Sequence, residues 1–370
     1  MIKRYLASQI RSDLKDKMVF VAGPRQTGKT TLARMIIPKA ESYLNWDVPA
    51  SREHILKYEL PDVPAFIFDE IHKYKKWRQF LKGLYDQYGT QKKILVTGSA
   101  KLDQYRYGGD SLQGRYHFFR LHPLSAAELN IKSQEKLLTL LTLGGFPEPF
   151  FSGSQVKARR WSREYRGRLI HEEINSFEHV SDLGTMELLA IRLPDMVGSP
   201  LSINNLREDL QVSHALVAKW LNIMERLYMI FRLPPFGGPR IRAVKKEQKH
   251  YHFDWTVVQD QALCFENMVA VHLLKWVHYQ QDVLGYEDEL RYFRDIDGRE
   301  VDFVLLRNNK PTTFIEAKWS DVPIGTGLKY LKNKYPSVNA IQITAAGHKD
   351  YVSKEGVRVC PAFKYLSELV

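Results

Sequence analysis

Near the N-terminus an apolar run, Met18-Val19-Phe20-Val21-Ala22, meets the turn Gly23-Pro24-Arg25-Gln26-Thr27-Gly28-Lys29-Thr30 and passes into the helix-competent Thr31-Leu32-Ala33-Arg34-Met35. A buried strand, a GxxxxGKT turn and a helix start, in that order, describe a phosphate-binding loop. Gly23 and Gly28 let the backbone curl so that successive N–H groups face one concavity, and the helix beginning near Lys29 adds the positive end of its dipole. The candidate ATP-binding residues are therefore Gly23, Pro24, Arg25, Gln26, Thr27, Gly28, Lys29, Thr30 and Thr31. Lys29 is expected on the β- and γ-phosphates and the Thr30 hydroxyl on the Mg²⁺ that accompanies them. A plain glycine turn is the alternative, and the complete, correctly flanked motif argues against it.

The following chain supplies partners for such a loop. Residues 2–17 read as an amphipathic helix through Tyr5, Leu6, Ile10 and Leu14, and Ser42 to Asp47 as a strand ending in polar residues. The apolar Ala65-Phe66-Ile67-Phe68 then runs into Asp69-Glu70, a buried strand whose end presents two carboxylates. Asp69 is expected to hold Mg²⁺ through its water shell, and Glu70 to act as general base on the attacking water. The alternative is an ordinary helix start, since acids favour helix N-termini. A fourth strand, Lys93-Ile94-Leu95-Val96, ends in Thr97-Gly98-Ser99-Ala100, where a small polar residue can sense the γ-phosphate; of Thr97 and Ser99 the expectation falls on Ser99. Arg115, after the turn Ser111-Leu112-Gln113-Gly114, can supply a guanidinium to the transition state in its own site or a neighbour's, or form a surface ion pair.

Taken with Gly144-Gly145-Phe146-Pro147-Glu148-Pro149, these motifs resemble a large prokaryotic family of AAA-type ATPases. In that family the ATPase domain is fused to a winged-helix region and a restriction-endonuclease-like C-terminal domain. The resemblance covers nearly the whole chain. It implies an α/β fold with a P-loop (AAA-type) parallel sheet over residues 1–150, a helical, winged-helix-like middle over 151–254 and an α/β restriction-endonuclease-like domain over 255–370. Assembly into homo-oligomers is compatible with it.

In the middle, Ile203 to Val212 reads as a helix and tight turn, and Ser213 caps a helix carrying Leu216, Val217, Trp220, Leu221, Met224, Leu227 and Ile230. That is a helix-turn-helix pattern, and the basic stretch ending at Lys249 follows it as a wing-like hairpin. Such a module can enter a DNA groove or serve as a protein-contacting lid. His171-Glu172-Glu173-Ile174-Asn175 opens like a zinc motif but has Asn175 where the second histidine is required, so no zinc is expected.

Further on, Glu300-Val301-Asp302-Phe303-Val304 and Thr313-Phe314-Ile315-Glu316-Ala317-Lys318 read as paired strands. Side chains two apart on a strand share a face, so Asp302, Glu316 and Lys318 can converge. The set resembles the Asp…Glu-x-Lys constellation of restriction-endonuclease-like nucleases, although no proline precedes Asp302. The resemblance implies Mg²⁺ on Asp302 and Glu316, with Glu266 completing the site and Lys318 activating water. An interior ion-pair cluster in a binding domain is the alternative.

Composition bounds the function. The 370 residues carry a formal net charge of +12 and only two cysteines, Cys264 and Cys360, which exclude a disulfide framework and favour a polyanionic partner. Basic residues concentrate at Lys157, Arg159, Arg160, Arg163, Arg166 and Arg168, and again at Arg232, Arg240, Arg242, Lys245, Lys246 and Lys249. A solvated face is the bland reading of either run. No apolar run approaches the ~18 residues of a membrane span and no signal core opens the chain, so a cytoplasmic location is expected. The expected function is a Mg²⁺-dependent ATPase acting on DNA, with a metal-dependent nuclease site at the C-terminus. The rival is an ATP-gated regulatory switch acting on a protein partner, its nuclease-like end inert.

Overall fold

The computed structural model describes residues 2–99, 102, 112–174, 182–237 and 248–370, and the chain divides into two compact units, Met1–Pro123 and Leu124–Val370. Ala100, Ser111, Asn175, Arg240, Arg242, Lys245 and Lys246 lie outside the described residues.

In the first unit a short helix, α1 (Ala7–Asp13), precedes β1 (Met18–Ala22), and the phosphate loop leads into α2 (Lys29–Ile36). There follow β2 (Tyr43–Asn45), α3 (Pro49–Lys57), β3 (Ala65–Asp69), α4 (Trp77–Tyr88), β4 (Lys93–Thr97) and β5 (Tyr116–Arg120). The helix read over residues 2–17 is confined to α1, and Arg4 ahead of it is buried. Every residue of β1 and β3 is buried, as continuous apolar runs require in a sheet covered on both faces. The strands are all parallel, in the order β2-β3-β4-β1-β5. Adjacency of β3, β4 and β1 brings Asp69, Thr97 and Gly23 to one end of the sheet. There β1 has β4 and β5 as neighbours, and the crevice at such a switch is where α/β sheets bind ligands. An aromatic core holds the sheet to α4: Phe20 stacks on Tyr116, and Phe68 meets Phe80 edge-on.

The second unit begins before the expected boundary at residue 150. Residues 125–128 are tied into it: Lys275 donates to Ser125 Oγ at 2.9 Å and pairs with Glu128, and the Ala126 N–H donates to His272 Nε2 at 3.0 Å. Helices α5 (Gln134–Leu143), α6 (Pro147–Ser152), α7 (Gln155–Arg168), α8 (Leu183–Arg192), α9 (Ile203–Leu210) and α10 (His214–Arg226) follow. Ser213 caps α10 as expected, its Oγ accepting the Leu216 N–H at 3.2 Å. An antiparallel ribbon, β6 (Ile230–Leu233) with β7 (Lys249–His252), comes next. All of β7 is buried, Lys249 completely, so the basic stretch ends inside the protein and not on its surface. Arg232 is likewise engaged, by Glu225 at 2.5 Å.

A long helix, α11 (Gln261–Asp282), then leads to β8 (Asp288–Arg294), β9 (Glu300–Arg307), β10 (Lys310–Lys318), α12 (Thr326–Lys334), β11 (Asn339–Thr344), β12 (Tyr351–Val352), β13 (Val357–Pro361) and α13 (Ala362–Leu366). The six strands form one mixed sheet in the order β12-β13-β11-β10-β9-β8. Antiparallel pairing of β9 with β10 sets Phe303 opposite Ile315, which brings Asp302 beside Glu316. Among the described residues no helix is long and apolar enough to cross a membrane.

Candidate functional site

Gly23 enters the phosphate loop at φ +140°, and a Cβ there would stand 2.3 Å from the Leu121 carbonyl oxygen. Only glycine fits a backbone pressed so closely against the chain leaving β5. Gly28, at φ 89°, turns the chain into α2. Within the loop the Thr27 hydroxyl donates to the Pro24 carbonyl at 2.9 Å, and the Lys29 ammonium donates to the carbonyls of Gly23 at 3.0 Å and Pro24 at 2.6 Å. Burial pulls the Lys29 pKa down to about 8 despite the opposing pull of Glu70 and Asp69, while Arg25 and Arg4 push it further down. A buried ammonium bonded only to neutral carbonyls gains by meeting an anion. The residues therefore fit a nucleotide triphosphate.

Asp69 is the hub of the site. Its carboxylate accepts hydroxyl protons from Thr30 at 2.8 Å, Tyr43 at 2.7 Å and Thr97 at 2.6 Å. Because Thr30 spends its proton on Asp69, the lone pairs of its oxygen remain for a cation. Thr30 and Asp69 thus have the donor set that Mg²⁺ takes beside a triphosphate. Of the two candidates it is Thr97, the last residue of β4, that holds Asp69; Ser99 is buried two residues further on. Glu70 takes a left-handed backbone, φ 56°, and its N–H donates to the Thr97 carbonyl at 3.0 Å. Its carboxylate lies 3.4 Å from Lys73 Nζ and 3.6 Å from His72 Nε2. His72 in turn packs so tightly on Gly98 that a Cβ there would come within 2.8 Å of its ring.

Arg115 stands elsewhere. Its carbonyl accepts the Met18 N–H, so it sits beside the beginning of β1, whereas the phosphate loop leaves the end of that strand. At ~3.3 Å per residue the strand separates the two by roughly 15 Å. Its guanidinium pairs with Asp86 at 3.0 Å. Two unforeseen residues join the site instead: Tyr43 on Asp69, and Arg4, whose guanidinium donates to the carbonyls of Thr27 and His122. Neither belongs to a motif; Arg4 and Tyr43 reach the loop only through the order of the strands.

In the second unit the four C-terminal candidates do assemble. Asp302 accepts the Ala317 N–H at 2.9 Å, and Lys318 pairs with Glu316 at 2.8 Å. Glu266 on α11 accepts the Tyr251 hydroxyl proton at 2.7 Å. A residue not foreseen there sits among them: Lys249 Nζ lies 2.5 Å from Glu300, 3.5 Å from Glu266 and 3.9 Å from Asp302. Burial alone would lower the Lys249 pKa, but the carboxylates of Glu266, Asp302 and Glu300 reverse that and raise it. Burial, then Asp302, pushes the Glu266 carboxyl up to about 7, and the same two causes raise Glu316. Lys318 is raised too, Asp302 and Glu316 outweighing burial. Among the described residues no three His, Cys, Asp or Glu side chains are disposed to hold a metal ion.

Comparison with known proteins divides the chain in three. Residues 15–130 match a family described as an AAA domain, and residues 134–262 and 263–365 match two domains of unknown function, DUF8612 and DUF4143. Uncharacterized proteins of Mycobacterium bovis and Mycobacterium tuberculosis are each 22% identical over 333 residues, covering 87% of this chain and 75% of theirs. Among solved structures, the ORC1 protein of Aeropyrum pernix in complex with DNA is 13% identical, covers 73% of this chain and 93% of its own, and has a TM-score of 0.36. A RuvB of Thermotoga maritima is 18% identical over 62% of this chain and 87% of its own, with a TM-score of 0.28.

Proposed function

We propose, from the premise that residues 15–130 form an AAA-type ATPase domain, that the chain is a Mg²⁺-dependent ATPase acting on DNA. The observation that carries the ATPase reading is the Asp69 hub. One carboxylate is aligned by Thr30, Tyr43 and Thr97 beside a lysine buried in a glycine-walled loop. Bound there, ATP and Mg²⁺ supply the reacting phosphoryl group and its charge compensation. Lys29 and the loop N–H groups bind the phosphates, Thr30 and Asp69 serve the cation, Ser99 lies at the sensor position, and Glu70 takes the proton of the attacking water. For Glu70 to do so its carboxylate must turn from Lys73. Arg115, a strand's length from its own loop and paired with Asp86, would reach a nucleotide only if it were that of a neighbouring copy.

The DNA reading rests on α7. Lys157, Arg159, Arg160 and Arg163 are all exposed on it while Ala158, Trp161, Ser162 and Tyr165 are buried, and no ion pair engages those four cations among the described residues. A helical face of unneutralised cations is what a phosphate backbone recognises. The helix-turn-helix of α9 and α10, winged-helix-like with its ribbon, is the second candidate contact. On this reading Asp302, Glu316 and Lys318 of a restriction-endonuclease-like sheet would be the cleaving group.

One observation favours the switch reading instead: Lys249 stands inside the C-terminal acid cluster, as an inert nuclease-like domain would have it. Steady-state ATP turnover with Mg²⁺, with and without duplex and branched DNA, separates the two. DNA stimulation of several-fold, absent in Lys29→Ala and Glu70→Gln, supports the DNA-acting ATPase. Slow turnover indifferent to DNA refutes it and leaves the switch.

A further inference from the structure

The resemblance of the C-terminal sheet to metal-dependent nucleases implies a divalent cation on Asp302 and Glu316, and the residues present fit such an ion poorly. Lys249 has no exposed surface, and its ammonium lies within 4 Å of three carboxylates, those of Glu300, Glu266 and Asp302. A buried ammonium needs compensation of this kind. It also lacks freedom to leave, because Lys249 is paired with Leu233 in the ribbon and bridged to Pro200.

The carboxylates themselves are closely walled. A Cβ on Gly325 would stand 2.5 and 2.6 Å from the two Glu316 oxygens, and one on Gly198 would stand 3.3 Å from both Glu266 oxygens. Asp302 gives one oxygen to the Ala317 N–H. Mg²⁺ demands a near-octahedral shell and keeps several of its waters, which this packing does not offer beside the ammonium. One feature still invites a cation: Glu316 Oε2 is buried without a hydrogen-bond partner.

We propose that Lys249 is the resident cation of this cluster, taking the place of a metal ion, so that the protein binds no divalent cation at Asp302 and Glu316 while Lys249 is present. The ammonium fixes the ribbon to α11 and β9 through charge. Removing it leaves Lys318, already paired with Glu316, to face Glu266, Glu300 and Asp302 as well, and leaves Glu316 Oε2 with a lone pair to give. The vacated cluster then takes a divalent cation from solution.

The test uses the full-length protein without nucleotide and Mn²⁺ as probe, with bound Mn²⁺ counted by electron paramagnetic resonance. Wild type and Asp302→Asn should bind the same amount, any Mn²⁺ on the phosphate-loop unit being common to both. Lys249→Gln should gain one further Mn²⁺ per chain, with a melting temperature that rises with Mn²⁺, and Lys249→Gln/Asp302→Asn should lose both gains. Wild type binding an Mn²⁺ that Asp302→Asn abolishes would overturn the proposal. So would a folded Lys249→Gln that gains none. Should Lys249→Gln fail to fold, the comparison of wild type with Asp302→Asn decides alone. Failure of the ATPase reading leaves this result untouched, since Lys29→Ala must give the same Mn²⁺ count at the C-terminal cluster.

Discussion

Tyr43→Phe removes one hydroxyl from the Asp69 hub and little else. The ring stays, and so does the Arg34 guanidinium stacked 4.0 Å above it. Tyr43 shares Asp69 Oδ2 with Thr30, so the lost bond is a charge-assisted one, a class that contributes ~1.5–3 kcal/mol. Because Tyr43 is half-buried, water replaces part of the bond and the lower end of that range, ~1.5 kcal/mol, is the expected loss of stability. If a third to all of it serves to keep Asp69 facing the cation, half-saturation by Mg²⁺ rises about twofold to twelvefold at 1.4 kcal/mol per decade, with turnover at saturating Mg²⁺ nearly unchanged. Thr97→Val should cost more, ~2–3 kcal/mol, since Thr97 is fully buried and no water reaches the orphaned carboxylate oxygen. Urea denaturation and Mg²⁺ titrations of ATP turnover, run as a double-mutant cycle, measure both effects and their coupling. A Tyr43→Phe protein with wild-type stability and Mg²⁺ dependence would refute the hub.

Three further outcomes are expected. His250 and His272 are buried and neutral, with pKa values lowered to about 4, burial being the main cause. The unfolded chain takes up these protons near pH 6.5 and the fold does not, so stability should fall from pH 7 to pH 5 by ~2 kcal/mol for each histidine; a flat urea midpoint across that range contradicts it. Arg160→Glu with Arg163→Glu should weaken DNA binding and reduce the slope of log K against log salt by about two, while unchanged salt dependence would remove α7 from the interface. At Gly327 a Cβ would lie 2.1 Å from the Glu300 carbonyl oxygen, so Gly327→Ala should destabilise by ~1–3 kcal/mol through overpacking, read as a lower urea midpoint.

What the sequence reveals of the nucleotide site is what lies within a few residues of one turn. Gly23 to Thr30 declares itself because the chemistry needs those types in that spacing, and Asp69-Glu70 because an apolar strand ends there. Tyr43 and Arg4 leave no such mark. A tyrosine on a short strand becomes an Asp69 ligand only when β2 lies beside β3, and an arginine ahead of α1 becomes a loop brace only when its segment crosses the sheet end. Arg115 misleads for the same reason, since its position after a glycine turn says nothing about which end of the sheet that turn occupies. Lys249 misleads differently. It closes a basic stretch and reads as surface charge, because a one-dimensional count of cations cannot show that three carboxylates from α11 and β9 converge on the last of them.

The helix α11 also bears on how this protein can be taken apart. The two domains of unknown function meet at residues 262 and 263, inside its first turn. Yet Asn267 donates to and accepts from the backbone of His252 at 2.7 and 2.9 Å, Glu266 holds Tyr251, and His272 and Lys275 bind residues 125–128. Fragments cut at that border would carry these polar groups into water or into an apolar surface without their mates. The helix belongs to both sides at once, so the boundary between two sequence families is here no seam for making independent pieces.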